Sequence, residues 1–134
     1  MRYIRGDVLT SNRSITHCVS ADFAMGKGIA KTITDRYGRA GLNTAPLHRI
    51  GWKQVGNRYI LYLVTKETFR MKPTLTDMRS TLINLRILCL NNSIIELAMP
   101  RIGCGLDQLS WPDVEKLVIT ELENYGISVD VYIE

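Results

Sequence analysis

Cysteine is scarce, histidine scarcer, and no long apolar run occurs among the 134 residues. The three cysteines, Cys18, Cys89 and Cys104, are odd in number and far apart, with no CxxC pair. That argues against a disulfide framework or a zinc ribbon. Two histidines, His17 and His48, do not supply a multi-histidine centre, so neither metal nor cofactor is expected. No apolar stretch approaches the roughly 18 residues of a membrane span, so no membrane partner is expected. Neither GxGxxG nor GxxxxGK[ST] appears, which leaves Rossmann and P-loop nucleotide binding unsupported. Low-complexity tracts, internal repeats and linkers rich in Pro, Gly or Ser are missing too, so one domain is expected over 1–134. Residues 1–7 hold no apolar leader core, and free thiols suit a reducing compartment. An intracellular location, cytoplasmic or nuclear, is therefore expected. With no visible apolar interface stripe, a monomer is the default.

What is present is ordinary globular composition, 46% hydrophobic and 22% charged. A chain of this length can bury a real core without staples. The net charge of +4 is unevenly spread: residues 1–106 hold 16 Lys/Arg and 6 Asp/Glu, a local +10. Residues 107–134 hold 1 Lys and 7 Asp/Glu, a local −6. Such asymmetry can draw an anionic ligand or polymer. The basic residues form no polybasic block, so nucleic-acid binding is not demanded.

Strands and helices alternate along the chain. Strands are predicted at 2–5, 15–19, 52–55, 58–65, 94–99 and 129–133, from β-branched and aromatic runs between breakers. Gly56-Asn57 marks a hairpin turn. Helices are predicted at 29–37, closed by Gly38, and from the Thr74-x-x-Asp77 capping box to about residue 90. A third begins at Ser110 as N-cap, with Pro112 in its first turn. It carries an apolar stripe of Val114, Leu117, Val118, Leu122 and Tyr125 and stops at Gly126. Residues 38–50 read as irregular. This order predicts an α/β fold with a sheet between helices, and ligands in such folds sit at the carboxyl ends of strands. The loops at 20–28, 66–73 and 100–109 are the ones to watch.

Two of these loops are suited to anions. Met25-Gly26-Lys27-Gly28-Ile29 follows a strand and opens a helix, where free N–H groups face outward. Pro100-Arg101-Ile102-Gly103-Cys104-Gly105-Leu106-Asp107 also lies between a strand and a helix. Two glycine-bearing loops on one face suit a diphosphate. They do not by themselves identify it.

In these stretches the chain resembles the macrodomains, ADP-ribose-binding three-layer α/β/α modules with a mixed, mostly parallel sheet. Among them it looks like the terminal ADP-ribose protein glycohydrolase, or O-acyl-ADP-ribose deacylase, branch. The resemblance rests on Arg5-Gly6-Asp7-Val8-Leu9, His17-Cys18-Val19-Ser20, Met25 to Ala30, Arg58 to Lys66 and Lys72-Pro73-Thr74. It rests most specifically on Met99-Pro100-Arg101-Ile102-Gly103-Cys104-Gly105-Leu106-Asp107, with Trp111 and Val131-Tyr132 beyond. It spans nearly the whole chain. Residues 37–55 depart from the pattern, and Val19-Ser20-Ala21-Asp22 stands where many macrodomains have Asn-Ala-Ala-Asn.

The resemblance implies roles. Asp7 would accept from the adenine amino group, with Val8 alongside. Gly26, Gly28 and Ile29 would form one phosphate loop; Ile102, Gly103, Cys104, Gly105 and Leu106 would form the other, around diphosphate and distal ribose. Ser20, Thr65, Pro100 and Arg101 would complete the ADP-ribose site. Lys66 would attack the anomeric carbon of the distal ribose, and Asp107 would assist proton transfer. A lysine amine can form a Schiff-base-type adduct with an opened sugar once it has shed its proton. An aspartate is a competent general acid/base.

The implied activity is removal of mono-ADP-ribose from glutamate or aspartate side chains, and deacylation of O-acyl-ADP-ribose. The partners expected are ADP-ribose and mono-ADP-ribosylated proteins, with ADP-ribosylated nucleic acid as a second candidate substrate. The same fold would also suit a non-catalytic ADP-ribose reader or a hydrolase of ADP-ribose 1″-phosphate. Among the remaining polar residues, His17 reads as a hydrogen-bonded core histidine and His48 as a surface one. Cys104 reads as a small loop residue. Trp52 and Trp111 read as packing residues. Tyr132 reads equally as a core residue or a neighbour of the adenine.

Overall fold

The computed structural model describes residues 1–22, 24, 28–38, 46–105 and 107–134. Its strands are β1 (Arg2–Arg5), β2 (Ser14–Ser20), β3 (Ile50–Val55), β4 (Arg58–Lys66), β5 (Glu96–Pro100) and β6 (Ser128–Ile133). Its helices are α1 (Gly28–Tyr37), α2 (Leu75–Asn91) and α3 (Trp111–Glu121). The strands form one sheet in the order β1-β6-β5-β2-β4-β3. All neighbours are parallel except the β3/β4 hairpin.

Strand alternation divides the core. On β4, Ile60, Tyr62 and Val64 face α1, packing with Ala30 and Ile33. Leu61 and Leu63 face the other way, against Met78, Leu82 and Leu85 of α2 and Val114 and Val118 of α3. A strand apolar on both faces has to lie inside a sheet covered on both sides. The result is the expected three-layer α/β/α sandwich, with every parallel strand ending at one edge.

Several local expectations are corrected. β5 starts at Glu96, two residues late, because the Ile94 N–H is used to bond the Cys89 carbonyl at the end of α2 (2.8 Å). α3 ends at Glu121, and Glu123–Tyr125 form a separate 3-10 turn. Tyr125 therefore leaves the apolar stripe, and Arg86 lies over its ring at 3.8 Å. Ser110 occupies the N-cap of α3 without a side-chain hydrogen bond. A 3-10 turn at Val8–Thr10 has no counterpart among the expected elements. Trp52 is 54% exposed, edge-on to Tyr59 rather than packed in the core. His17 is fully buried, but among the described residues neither ring nitrogen has a hydrogen-bond partner; it meets the Tyr62 ring edge-on at 4.8 Å.

Candidate functional site

The carboxyl edge of the parallel strands opens into a cleft of about 780 Å³. Asp7 and Val8 beyond β1, Tyr132 and Ile133 of β6, and Pro100, Arg101, Cys104 and Gly105 at the end of β5 line it. Gly28, Ile29 and Thr32 of α1 form one wall, and Leu109 and Trp111 at the start of α3 form the other.

Asp7 follows Gly6, whose φ of 144° suits glycine. Its carboxylate caps the 3-10 turn by accepting from the Leu9 N–H at 2.9 Å. A carboxylate accepts several hydrogen bonds, so this cap leaves capacity for a ligand donor. Val8 beside it is buried. Gly28, at φ 62°, turns the chain into α1 and sets the first N–H groups of the helix at the cleft.

The loop after β5 is folded on itself. The Leu109 N–H bonds the Gly103 carbonyl at 2.7 Å, and the Gln108 N–H bonds the Gly105 carbonyl at 3.1 Å. Gly103 and Gln108 both have positive φ, 73° and 63°. Ile102, only 3% exposed, pins the loop into the core against α2 and α3. Cys104 lines the cleft, its thiol pushed up by burial and eased down by Arg101.

At the other end of the same edge, β4 delivers Lys66. The ladder slips by one residue there: Val19 pairs with Val64, but Ser20 pairs with Lys66. Such irregularities re-aim a side chain at the end of a strand. Lys66 Nζ donates to Asp107 Oδ1 at 2.5 Å. The two side chains are 13% and 12% exposed, inside the rim but reachable. Cys18 lies next to this pair; burial pushes its thiol up to about 12, with Asp107 adding to the rise.

The sites read from the sequence fall into three groups. Asp7, Val8, Gly28, Ile29, Pro100, Arg101, Cys104 and Gly105 line the cleft together. Lys66 and Asp107 meet each other but are not among the residues that line it. Ser20, Thr65 and Ile102 are buried, so their side chains support the edge rather than present themselves to a ligand. The Ser20 hydroxyl is committed to Asp22 Oδ1 at 2.5 Å. Gly103 is packed beneath the loop, with Met78 and Leu109 under it. Gly26 and Leu106 lie outside the described residues.

Residues beyond the two glycine loops and the Lys66–Asp107 pair also contribute. Asp22 accepts from Ser20, from the Ala24 N–H and from the Phe69 N–H, which together hold its carboxyl low against the opposing effect of burial. It thereby joins the loop after β2 to the loop after β4. His48 is not a free surface group: its Nε2 meets Asp77 Oδ1 at 2.8 Å. Its N–H bonds the Val64 carbonyl, and its own carbonyl takes Asn84. It braces β4 against α2 two residues before Lys66. Trp111 faces the cleft, its Nε1 donating to the Tyr3 hydroxyl at 2.9 Å. Tyr132 both lines the cleft and packs on the α1-side core. Among the described residues no three His, Cys, Asp or Glu are grouped to hold a metal.

No family model matches the chain. Individual proteins do. The bovine protein named ADP-ribose glycohydrolase OARD1 is 36% identical, across 97% of this chain and 89% of its own length. The human protein of that name is 35% identical over the same shares. Among solved structures, the macrodomain of Mycobacterium tuberculosis DarG superposes with a TM-score of 0.88 at 23% identity, covering 99% of this chain and 97% of that one. Thermosipho africanus DarTG in complex with ADP-ribose gives 0.82 at 20% identity, covering 99% of this chain and 42% of that one. With more than a third of its residues shared with OARD1 across nearly its full length, the chain belongs to the family of ADP-ribose glycohydrolase OARD1, and it has the macrodomain fold of these structures.

Proposed function

We propose that this protein is an ADP-ribose hydrolase that releases mono-ADP-ribose from glutamate and aspartate side chains and deacylates O-acyl-ADP-ribose. The observation that carries the reading is the largely sheltered Lys66–Asp107 contact of 2.5 Å, with Asp107 two residues beyond Gly105, which lines the cleft. The naming of the relatives as ADP-ribose glycohydrolases supports the substrate class.

ADP-ribose would lie along the strand ends. The adenine amino group donates to Asp7, and the base rests beside Val8. The diphosphate takes N–H groups from the start of α1 at Gly28 and Ile29 and from the loop around Cys104 and Gly105. Gly26 and Leu106, in the same two loops, carry the same assignment. The distal ribose then points to Lys66.

Asp107 takes a proton from the Lys66 ammonium along their hydrogen bond. The freed amine attacks the anomeric carbon, and the acceptor carboxylate leaves with the electron pair of the broken C–O bond and takes the proton held by Asp107. A proton passes from the new C–N nitrogen to the ring oxygen, and the ring opens to a protonated Schiff base between Lys66 and the sugar. Water, losing its proton to the freed Asp107 carboxylate, adds to that carbon; Asp107 returns the proton to the nitrogen, and expulsion of the lysine amine frees ADP-ribose. No redox partner is needed.

The test is direct. Wild type and Lys66→Ala are incubated with a glutamate-linked mono-ADP-ribosylated protein, and released ADP-ribose is measured by mass spectrometry. Release by wild type alone is expected. Asp107→Asn should still bind ADP-ribose while kcat falls by about 10²- to 10⁴-fold, the span of one general acid/base. Undiminished release by Lys66→Ala would overturn the mechanism. Binding of ADP-ribose without release by wild type would make the protein a reader.

A further inference from the structure

The loop directly after Lys66 carries side chains that neither the fold nor the chemistry above uses. Phe69 is 54% exposed and Met71 49% exposed. The Arg70 guanidinium lies over the Phe69 ring, 5.3 Å from its centroid. Large apolar side chains held out in water usually mark a contact surface when they are grouped. Here two stand on one short loop whose backbone is held in place. The Met71 N–H bonds the Thr68 carbonyl at 3.1 Å, and Asp22 accepts from the Phe69 N–H. Three residues of chain span at most about 11 Å, so Phe69 stands within that distance of Lys66.

This position matters because of which part of a substrate passes it. With ADP-ribose in the cleft, its anomeric carbon meets Lys66. Whatever is joined to that carbon therefore leaves the cleft at the β4 end. We propose that Phe69, Arg70 and Met71 form a docking surface for the modified protein itself. The segment they fit flanks the ADP-ribosylated carboxylate and has an apolar side chain beside acidic ones. The apolar pair would cover the first and Arg70 would face the second.

Charge favours a peptide over a nucleic acid. Between Lys66 and Pro73 the loop holds Glu67, Arg70 and Lys72, nearly balanced, and it is anchored on the carboxylate of Asp22. Tracking a phosphate backbone calls for a run of unopposed cations. Two apolar side chains around one guanidinium instead suit the mixed surface of a protein interface.

The inference rests on the proposed hydrolase activity, and the experiment separates the two. Wild type and the double variant Phe69→Ala/Met71→Ala are compared on three substrates. These are a glutamate-linked mono-ADP-ribosylated protein, O-acetyl-ADP-ribose and an ADP-ribosylated DNA oligonucleotide. Loss of two anchors should lower kcat/KM on the protein by about tenfold or more, through KM, because each buries of order one side chain of apolar area. Turnover of O-acetyl-ADP-ribose should stay unchanged, which also shows that the variant is folded. Equal loss on both, or no loss on the protein, overturns the proposal. Loss confined to the oligonucleotide overturns it in favour of a nucleic-acid substrate. If wild type hydrolyses none of the three, the hydrolase reading fails and calorimetry decides the docking surface. Tighter binding of the modified protein than of free ADP-ribose, abolished in the variant, supports it; equal affinities overturn it.

Discussion

At Gly103 the backbone passes through φ 73°, and a Cβ there would stand 2.8 Å from Met78 Cε and 3.0 Å from Leu109 Cδ1. Two costs coincide at this residue: a left-handed conformation that side chains resist, and a packed floor with no room. Gly103→Ala should destabilise the protein by about 1–3 kcal/mol, read as a lower urea midpoint at unchanged m-value. A midpoint equal to wild type would show that Met78 and Leu109 yield freely. By contrast, a Cβ at Gly105 would meet nothing within 4 Å, so this glycine leaves space beside the cleft. The sequence displayed both glycines in one motif. It did not distinguish the one that supports the loop from the one that lines the cleft, because that depends on what α2 places beneath.

Among the elements, α2 has the most explicit start. Thr74 accepts from the Asp77 N–H, and Asp77 bonds back to the Thr74 N–H, a reciprocal cap that was legible as Thr74-x-x-Asp77. Burial opposes ionisation of Asp77, but Thr74 and His48 outweigh it and hold the carboxyl below its usual range. Thr74→Ala should cost about 1 kcal/mol, seen as a drop of several degrees in Tm. An unchanged Tm would mean that packing alone sets the start of the helix. Residue spacing foretold the helix but not the His48 contact, since His48 lies 29 positions away. The late start of β5 has the same origin. Ile94 is a good strand former whose N–H was required to close α2. Local preference gave way to a neighbouring element's unmet carbonyl.

Across the whole molecule, β2 runs between two helical layers, and His17 is sealed at its centre. Burial lowers its pKa from 6.5 to about 3. The unfolded chain therefore takes up a proton below about pH 6.5 that the folded chain refuses until about pH 3. This contribution to stability is complete above pH 6.5 and declines on acidification, by about 1.4 kcal/mol per pH unit within that window. His17→Phe keeps an aromatic ring beside Tyr62 without the proton. Urea midpoints measured from pH 7 to pH 4 should fall more steeply for wild type than for the variant, and parallel curves would refute this. The alternation of strands and helices, the sandwich that follows from it, and the two glycine loops were all legible in residue order alone. Those features are written in residue spacing, turn chemistry and strands apolar on both faces. It also displayed Lys66 and Asp107, at the end of a strand and in a loop. That they meet is a matter of packing. Their 2.5 Å contact depends on β2 lying between β4 and β5, on a one-residue slip opposite Ser20, and on a loop seated over Met78. Each is a contact between distant parts of the chain, where packing and strand order act and local sequence preference has no reach.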